Sequence, residues 1–379
     1  MNKLLALSVF TSLTLVACIG NKEEVRLTDS GLNPDNFKTI VDGKETGLYT
    51  LKNKNDMEVC VTNFGGRIVS IMVPDKQGNM RDVVLGFDSI KDYIDNPSDF
   101  GASIGRYANR INNGQFTLDN VEYQLPQNNF GHCLHGGFKG FQYVVYDVVK
   151  VSEKEIKLSY MAKDMEEGFP GNTNCTVTMT LTDDNSIKLN YEAETDKPTI
   201  INMTNHSYFN LDGNPEKGNS DYLLMVNASN YTPVDSTFMT TGEILSVENT
   251  AFDFRKPTRL GDQLSKDSEQ LRNGHGIDHN WVLDTKGDIN VACASLESRE
   301  SGIKLEVFTD EPGIQIYTGN FLDGTQTGKN GIKYNFRASV CLETQKYPDT
   351  PNKPEWPSCV LRPGEKYISN TIFKFTTNQ

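Results

Sequence analysis

All five histidines of the sequence fall in three short polar stretches that have the composition of loops. These stretches are GHCLHGG at 131–137, TNHSYFN at 204–210 and GHGIDHN at 274–280. Imidazole titrates near neutral pH, so histidines grouped at loop positions are candidates for proton transfer or ligand binding. One histidine alone is more often a structural hydrogen-bonding group, but three such stretches together favour a functional site.

Two further stretches carry charged candidates. Arg110 lies in GRYANRINNG at 105–114, and Glu343 lies in LETQKYPD at 342–349, where we expect it near the end of a strand. Taken singly, each side chain is most simply interpreted as a solvent-exposed charge.

A metal site is the weaker interpretation of the histidines. The spacings of His132 with His135 and of His275 with His279 could place two imidazoles together, but neither pair lies on a helical pattern. No HExxH motif and no phosphate-binding GxxxxGK[ST] loop occurs in the sequence. We therefore predict that the site contains no metal, although a structural calcium held by surface carboxylates is left open.

The elements that must position these residues are strands. From about residue 40 onwards, apolar and polar residues alternate with period two, as in IKLSY at 156–160, VTMTL at 177–181, IKLNY at 187–191, IKLEV at 303–307 and IQIY at 314–317. The segments 116–118 and 121–125 flank Asp119-Asn120 and predict a hairpin. Half-buried strands of this kind pack face to face as antiparallel sheets. We predict an all-β fold, one large antiparallel β-sandwich with a few short helices, the helix candidates being 89–95 and 260–271.

The first 38 residues are interpreted separately. A short basic start precedes an apolar stretch at 4–17, which is too short to span a membrane comfortably and suits the core of a signal peptide. It ends in LVAC at 15–18, which resembles the bacterial lipobox, where the cysteine is lipidated. We predict a lipoprotein signal peptide at 1–17, lipidation of Cys18, a flexible tether at 18–38 and a single domain at 39–379. An ordinary cleaved signal is the alternative.

The charge and the cysteine content limit the kinds of partner and the cellular compartment that the sequence predicts. The chain has 37 Lys and Arg against 50 Asp and Glu, a net charge of −13, which argues against a nucleic-acid partner. The remaining six cysteines contain no CxxC pair, and both disulfides and scattered buried thiols are consistent with them. We expect an exported protein that touches the membrane only through its N-terminal lipid, on the periplasmic face or at the cell surface. The acidic KEE run at 22–24 resembles the export signals of some surface lipoproteins.

Taken together, the stretches resemble the aldose 1-epimerase (galactose mutarotase) family. Ten phrases follow one another in the order typical of that family, over about residues 40 to 375. They are NFGGRI at 63–68, VLGF at 84–87, GRYANRI at 105–111, LHGG at 134–137, EGFPGN at 167–172, TNHSYFNL at 204–211, DHN at 278–280, PGIQIYTGN at 312–320, LETQ at 342–345 and PGEKY at 363–367. The resemblance implies a large antiparallel, supersandwich-like fold, in agreement with the period-two pattern.

The resemblance also implies roles for individual residues. His206 matches the general acid of the family and Glu343 its general base. The positions that match sugar-binding residues, or lie beside the acid, are Asn109, Arg110, His135, Ser207, Tyr208, Asp278 and Gln315. Two departures lie outside these positions: Lys346-Tyr347 stands where the family often has His-Phe, and Asp119-Asn120 where Asp-Gly is usual.

The implied activity is interconversion of the α and β anomers of free aldohexoses such as glucose and galactose, by acid–base ring opening and closure. The resemblance implies no required cofactor, a small sugar as the partner, and we expect a monomer. Trp281 and Trp356 are candidates for stacking on a sugar, although core positions suit them better. The alternatives are a non-catalytic carbohydrate-binding lipoprotein on the same scaffold, and an epimerase of phosphorylated hexoses, for which the acidic balance and signal segment are unfavourable.

Overall fold

A computed structural model of the protein describes residues 26–378. These residues form 29 strands and three short α-helices. No helix among them is long and apolar enough to cross a membrane. The predicted signal peptide and the lipidation site Cys18 lie outside the described residues.

The elements follow one another along the chain with short connections. The first half contains β1 (Ile40–Val41), β2 (Lys44–Glu45), β3 (Leu48–Lys52), β4 (Glu58–Thr62), β5 (Arg67–Pro74), β6 (Met80–Asp82), α1 (Ile90–Asp95), β7 (Ala102–Ile104), β8 (Arg110–Ile111), β9 (Gln115–Leu118), β10 (Val121–Gln124), β11 (Cys133–Leu134), β12 (Asp147–Val151), β13 (Glu155–Ala162), β14 (Thr173–Leu181) and β15 (Ser186–Thr195). The second half contains β16 (Thr199–Ile200), β17 (Thr204–His206), β18 (Tyr208–Phe209), β19 (Leu223–Val226), β20 (Asn230–Thr232), β21 (Leu245–Ser246), β22 (Thr258–Arg259), α2 (Leu260–Leu264), α3 (Glu269–Asn273), β23 (Asp278–Val282), β24 (Ala294–Glu297), β25 (Ile303–Thr309), β26 (Gly313–Tyr317), β27 (Val340–Gln345), β28 (Val360–Leu361) and β29 (Tyr367–Thr377).

Nine strands form the largest sheet, in the order β12-β13-β14-β15-β29-β25-β24-β19-β22, with antiparallel pairing throughout. Along β14 every second side chain is buried, as the alternating pattern predicts. The strand β29 lies in the middle of the sheet, between β15 and β25.

A six-stranded sheet, β18-β27-β26-β23-β20-β21, and a four-stranded sheet, β3-β4-β5-β6, pack with the nine-stranded sheet around one core. Ile314 and Leu342 of the six-stranded sheet, Val59 of the four-stranded sheet and Val177 of the nine-stranded sheet all belong to this core. The predicted antiparallel β-sandwich is therefore confirmed.

The strands of the six-stranded sheet have one face in the core and the other towards a cavity. On β26, Ile314 and Ile316 point into the core, while Gln315 and Tyr317 line the cavity. The same alternation on β27 places Leu342 in the core and Glu343 at the cavity. Strand periodicity thus carries the polar residues to a single surface.

The predicted local elements are present, with one change. The hairpin forms between β9 and β10, with Asp119 and Asn120 both at positive φ, as a two-residue turn requires. The helix at 89–95 is α1, capped by Ser89, whose side chain accepts from the backbone N–H of Asp92. The helix expected over 260–271 is instead two short helices, α2 and α3, because the polar segment 265–268 between them favours turns and caps.

The expected tether at 18–38 differs from the structure over its last part. Leu32 is 2% exposed and Phe37 is fully buried, and both belong to a core cluster beneath the four-stranded sheet. The backbone N–H of Asp29 also donates to the carboxylate of Glu58. Residues 28–38 therefore pack on the domain, because two apolar side chains in a polar stretch find a hydrophobic site.

The cysteines and tryptophans take structural positions. The six described cysteines are free and buried, which favours scattered thiols over disulfides. Trp281 is fully buried and donates to the carbonyl of Phe252, and Trp356 packs edge-on against Tyr347. Neither tryptophan lines the cavity described below.

Candidate active site

The two residues expected to transfer protons, Glu343 and His206, face each other in a cavity of about 160 Å³. Glu343 lies on β27, and His206 ends β17, which pairs with β7. Nε2 of His206 is 3.5 Å from Oε1 of Glu343, with the side chains 6% and 2% exposed. Among residues 26–378, no group hydrogen-bonds Oε2 of Glu343 or Nδ1 of His206. The pair is close enough to exchange protons with one small molecule.

Burial perturbs both groups. It raises the pKa of Glu343 well above its usual range, and the carboxylates of Asp278 and Asp99 add to the increase while Arg110 opposes it. Burial lowers the pKa of His206, and Asp99 opposes that shift. Two groups this close titrate as a unit, and a proton that moves from one to the other leaves the total charge of the pair unchanged.

His135 is held as a neutral hydrogen-bond donor. Its Nδ1 atom accepts from the backbone N–H of Asn109 at 3.1 Å, so in the neutral ring the proton lies on Nε2. Burial holds the pKa of His135 well below its usual range, and the positive charges of His206 and Arg110 lower it further. Pairing of Leu134 on β11 with Arg110 on β8 sets this contact, since Asn109 precedes Arg110 and His135 follows Leu134.

Arg110 is fixed against the cavity wall by three contacts. Its Nε donates to Oδ1 of Asn129 at 3.1 Å, and its backbone N–H donates to Oδ1 of Asn109 at 2.8 Å. The guanidinium carbon lies 5.0 Å from the ring centre of Phe238, a cation–π contact. A guanidinium held in this way can donate to ligand oxygens at little entropic cost.

Asp278 and Gln315 complete the polar wall. Nε2 of Gln315 donates to Oδ1 of Asp278 at 2.7 Å. Gln315 is paired in register with Glu343 on β27, and Asp278 with Tyr317 on β26, so two neighbouring cross-strand pairs line the cavity. Oε1 of Gln315 has no hydrogen-bond partner in the described part of the chain, which leaves an acceptor for a hydroxyl group.

The cavity brings together every predicted catalytic and sugar-binding residue except one. The predicted residues that line it are His206, Glu343, Asn109, Arg110, His135, Tyr208, Asp278 and Gln315. Ser207 does not line it. The rings of His206, at the end of β17, and Tyr208, at the start of β18, stack at 4.9 Å between their centres. The extended chain between them therefore turns Ser207, which is 1% exposed, to the opposite side.

Five further residues line the cavity and were not predicted from the sequence, namely Asp99, Asn129, Leu134, Tyr317 and Phe321. Tyr317 follows Gln315 by two positions on β26, so strand alternation alone could have identified it. Its hydroxyl accepts from the backbone N–H of Phe321 at 2.8 Å, which fixes the half-exposed Phe321 at the rim. Asp99 and Asn129 lie in loops, where no period marks the inward side chain.

The histidine spacings considered for metal do not form metal sites of their own. His132 hydrogen-bonds through its two ring nitrogens with Asn113 and Thr237. His279 is buried away from the cavity, and Nδ1 of its ring accepts from the N–H of Asp278. Among the described residues, the groups that could ligate a cation contain His206, so a bound metal would compete with proton transfer there.

A further sequence pattern, GxSxG at 101–105, is typical of hydrolase nucleophiles. Ser103 of this segment is fully buried on β7, and its hydroxyl donates to the carbonyl of Gly66 at 2.8 Å. It does not line the cavity and is a structural residue.

A buried acid–base pair beside fixed amide, guanidinium, imidazole and carboxylate groups, on an antiparallel sandwich, defines an enzyme that transfers protons on a polyhydroxylated substrate. The sequence model described as aldose 1-epimerase matches residues 47–374. The chain belongs to the aldose 1-epimerase family and is an isomerase.

Individual relatives agree with this assignment. The chain is 44% identical to the galactose mutarotase of Rattus norvegicus over 322 residues, which is 85% of this chain and 92% of that protein. It is 38% identical to the aldose 1-epimerase of Escherichia coli K12 over 336 residues, or 88% of this chain and 96% of that protein. The solved structure of an aldose epimerase homologue from C. elegans superimposes with a TM-score of 0.82 at 32% identity, covering 88% of this chain and 100% of that one.

Proposed function

We propose that this protein interconverts the α and β anomers of free aldohexoses such as glucose and galactose. The observation that carries the proposal is the His206–Glu343 pair, 3.5 Å apart, in a cavity lined by hydroxyl-binding side chains. Anomer exchange needs one base at the C1 hydroxyl and one acid at the ring oxygen, and no covalent intermediate with the protein.

The steps balance through one shared proton. Glu343 takes the proton of the C1 hydroxyl, the C1–O5 bond breaks as C1=O1 forms, and His206 gives its proton to O5. After rotation about C1–C2, the O5 hydroxyl attacks the other face of C1 and returns its proton to His206. Glu343 then protonates O1. The pair ends in its starting state, so a site that holds one proton suits both directions of the reaction.

The remaining groups orient the ring. Arg110 and the neutral His135 donate to sugar hydroxyls, and the Asp278 carboxylate and the free oxygen of Gln315 accept from them. These groups are buried, so a sugar that lacks or misplaces a hydroxyl leaves a polar group unpaired and binds less well.

Polarimetry of freshly dissolved α-glucose and α-galactose tests the proposal. We expect the protein to speed the decay of optical rotation, and Glu343→Gln and His206→Asn each to lower kcat by about 10²–10⁴-fold. The matched control Glu122→Gln lies on the exposed strand β10 and should retain full activity. A wild-type rate equal to that of buffer, or unchanged rates in both site variants, would refute it. Glycan binding without acceleration would instead favour a carbohydrate-binding protein.

We also propose that the chain is an exported lipoprotein, with the signal at 1–17, lipid on Cys18, and the periplasmic face or cell surface as its location. The lipobox-like LVAC at 15–18 after an apolar stretch supports this. Wild-type protein should partition with membranes, and Cys18→Ser should release it; equal partitioning of the two would count against lipidation. We further propose that the enzyme is a monomer, which light scattering would test.

A further inference from the structure

Arg67 is a buried charge that the proposed reaction does not use. It begins β5, its side chain is fully buried, and it does not line the catalytic cavity. Among residues 26–378, the guanidinium group donates only to backbone carbonyls and to no carboxylate. Burial of a guanidinium group is costly unless its N–H groups are well bound, so the position of these carbonyls matters for the fold and for the site.

Backbone carbonyls and aromatic rings surround the guanidinium group. Nη1 donates to the carbonyls of Ser98 and Phe100, each at 3.0 Å, and Nη2 donates to that of Gln142 at 2.6 Å. The guanidinium carbon lies 4.8 Å from the ring centre of Tyr93 on α1. A planar group with fixed N–H directions can bind carbonyls of two chain segments at once. Arg67 therefore joins the loop that follows α1 to the segment that contains Gln142.

The two carbonyls bound by Nη1 belong to the residues on either side of Asp99. The same loop is tied to the proposed acid, because the N–H of Gly101 donates to the carbonyl of His206 at 3.0 Å. The N–H of Ile68 donates to the carbonyl of Gly101 at 2.9 Å, which holds the loop against β5. Asp99 lies outside the helices and strands, and its Oδ1 is buried without a hydrogen-bond partner in the described part of the chain. The backbone on either side therefore sets the position of this carboxylate.

Asp99 is held close to the acid–base pair. Ligating atoms of Asp99, His135 and His206 lie within 4.8 Å of one another. The charge of Asp99 raises the pKa of His206 and of Glu343, whereas the charge of Arg67 lowers the pKa of His206 and is the weaker of the two influences. A carboxylate at this distance favours the imidazolium that gives its proton to the ring oxygen. The other charged groups around the pair lie on other elements and make no hydrogen bond to Arg67, namely Arg110, His135 and Asp278.

We propose that Arg67 is a positioning residue, which binds the backbone on both sides of Asp99 and so fixes this carboxylate beside His206. The inference rests on the proposed anomerase activity. Arg67 does not touch the sugar and acts through Asp99. A lysine at position 67 keeps the positive charge but lacks the planar fork, so the loop loses part of its hold and Asp99 can move away from His206.

The test is the pH dependence of kcat/KM for glucose in wild-type protein, in Arg67→Lys, and in the same substitution made in an Asp99→Asn background. If Asp99 retreats from 4.8 Å to about 7 Å, both limbs of the profile should move to lower pH by about half a pH unit. In the Asp99→Asn background, Arg67→Lys should add no shift. The matched control is Arg106→Lys, because Arg106 is also buried, donates to the carbonyls of Pro170 and Gly171, and lies outside the cavity. Its limbs should stay at their wild-type positions.

The inference is overturned if folded Arg67→Lys keeps the wild-type limbs, if the shift persists in the Asp99→Asn background, or if Arg106→Lys shifts equally. If Arg67→Lys does not fold, Arg67→Gln is assayed in its place, because a neutral amide is less costly to bury. Limbs at lower pH in Arg67→Gln support the positioning role, whereas unmoved limbs, or limbs at higher pH as loss of the guanidinium charge alone would give, overturn it. Wild-type protein that does not accelerate glucose anomerisation would instead refute the proposed function.

Discussion

Asp99→Asn should move the whole pH–rate profile of this enzyme to lower pH. Ligating atoms of Asp99, His135 and His206 lie within 4.8 Å of one another, and the charge of Asp99 raises the pKa of both His206 and Glu343. Asparagine keeps the shape of the side chain and removes its negative charge. The imidazolium of His206 loses an attraction and the carboxylate of Glu343 loses a repulsion, so both pKa values fall.

The size of the shift follows from the separation. At 4.8 Å, two unit charges interact by about 0.9 kcal/mol in bulk water and about 3.5 kcal/mol at an effective dielectric constant of about 20. These limits correspond to about 0.6 and 2.5 pKa units. Asp99 is half-buried, so we expect a shift of about one unit. On the acid side the rate falls when the His206–Glu343 pair binds a second proton, and on the alkaline side it falls when the pair loses its only proton. Both limbs of the profile should move to lower pH.

The assay is kcat/KM by polarimetry across both limbs, with the buffer-catalysed rate subtracted at each pH. Asp95→Asn is the matched control, because this substitution removes the same charge from the exposed end of α1. Limbs that stay in place in Asp99→Asn, that move to higher pH, or that move equally in Asp95→Asn would refute the electrostatic argument.

Three further predictions concern binding and stability. Arg110→Lys should raise KM for glucose by about tenfold in steady-state polarimetry, because a lysine cannot reproduce the planar donor set; an unchanged KM would exclude a sugar contact. Phe37→Ala should lower the free energy of unfolding by about 3–5 kcal/mol in urea titrations, since this fully buried ring fills the core; a loss below about 1 kcal/mol would mean that residues 28–38 are loosely held. In a Cys18→Ser protein, the six buried thiols should react with a thiol reagent only after denaturation, and rapid labelling of the native protein would contradict their burial.

Strand alternation made much of the site predictable. Gln315 lies on a period-two segment and Glu343 lies where a strand end was expected, and pairing of β26 with β27 brings them side by side. The same rule places Tyr317 in the cavity and turns Ser207 away from it, so proximity in sequence to His206 was a poor guide there.

The positions of the loop residues at the cavity, and the burial of Leu32 and Phe37, depend on long-range packing that the sequence pattern does not reveal. Asp99 reaches the cavity from the loop that follows α1, and Asn129 lies in another loop, where its side chain accepts from Arg110. Leu32 and Phe37 are isolated apolar residues in a polar stretch, too few to form a period, and only the surface beneath them decides that they are buried.

The central position of β29 has a consequence for biosynthesis. The strands β12 to β15 and the strands β25, β24, β19 and β22 are joined within the sheet only by β29, which follows all of them along the chain. During translation the two half-sheets therefore emerge with unpaired edges facing each other, and the sheet cannot close until the ribosome has made β29. Chaperones that shield exposed strand edges should matter most in that interval, and a chain that stops before β29 should aggregate rather than fold.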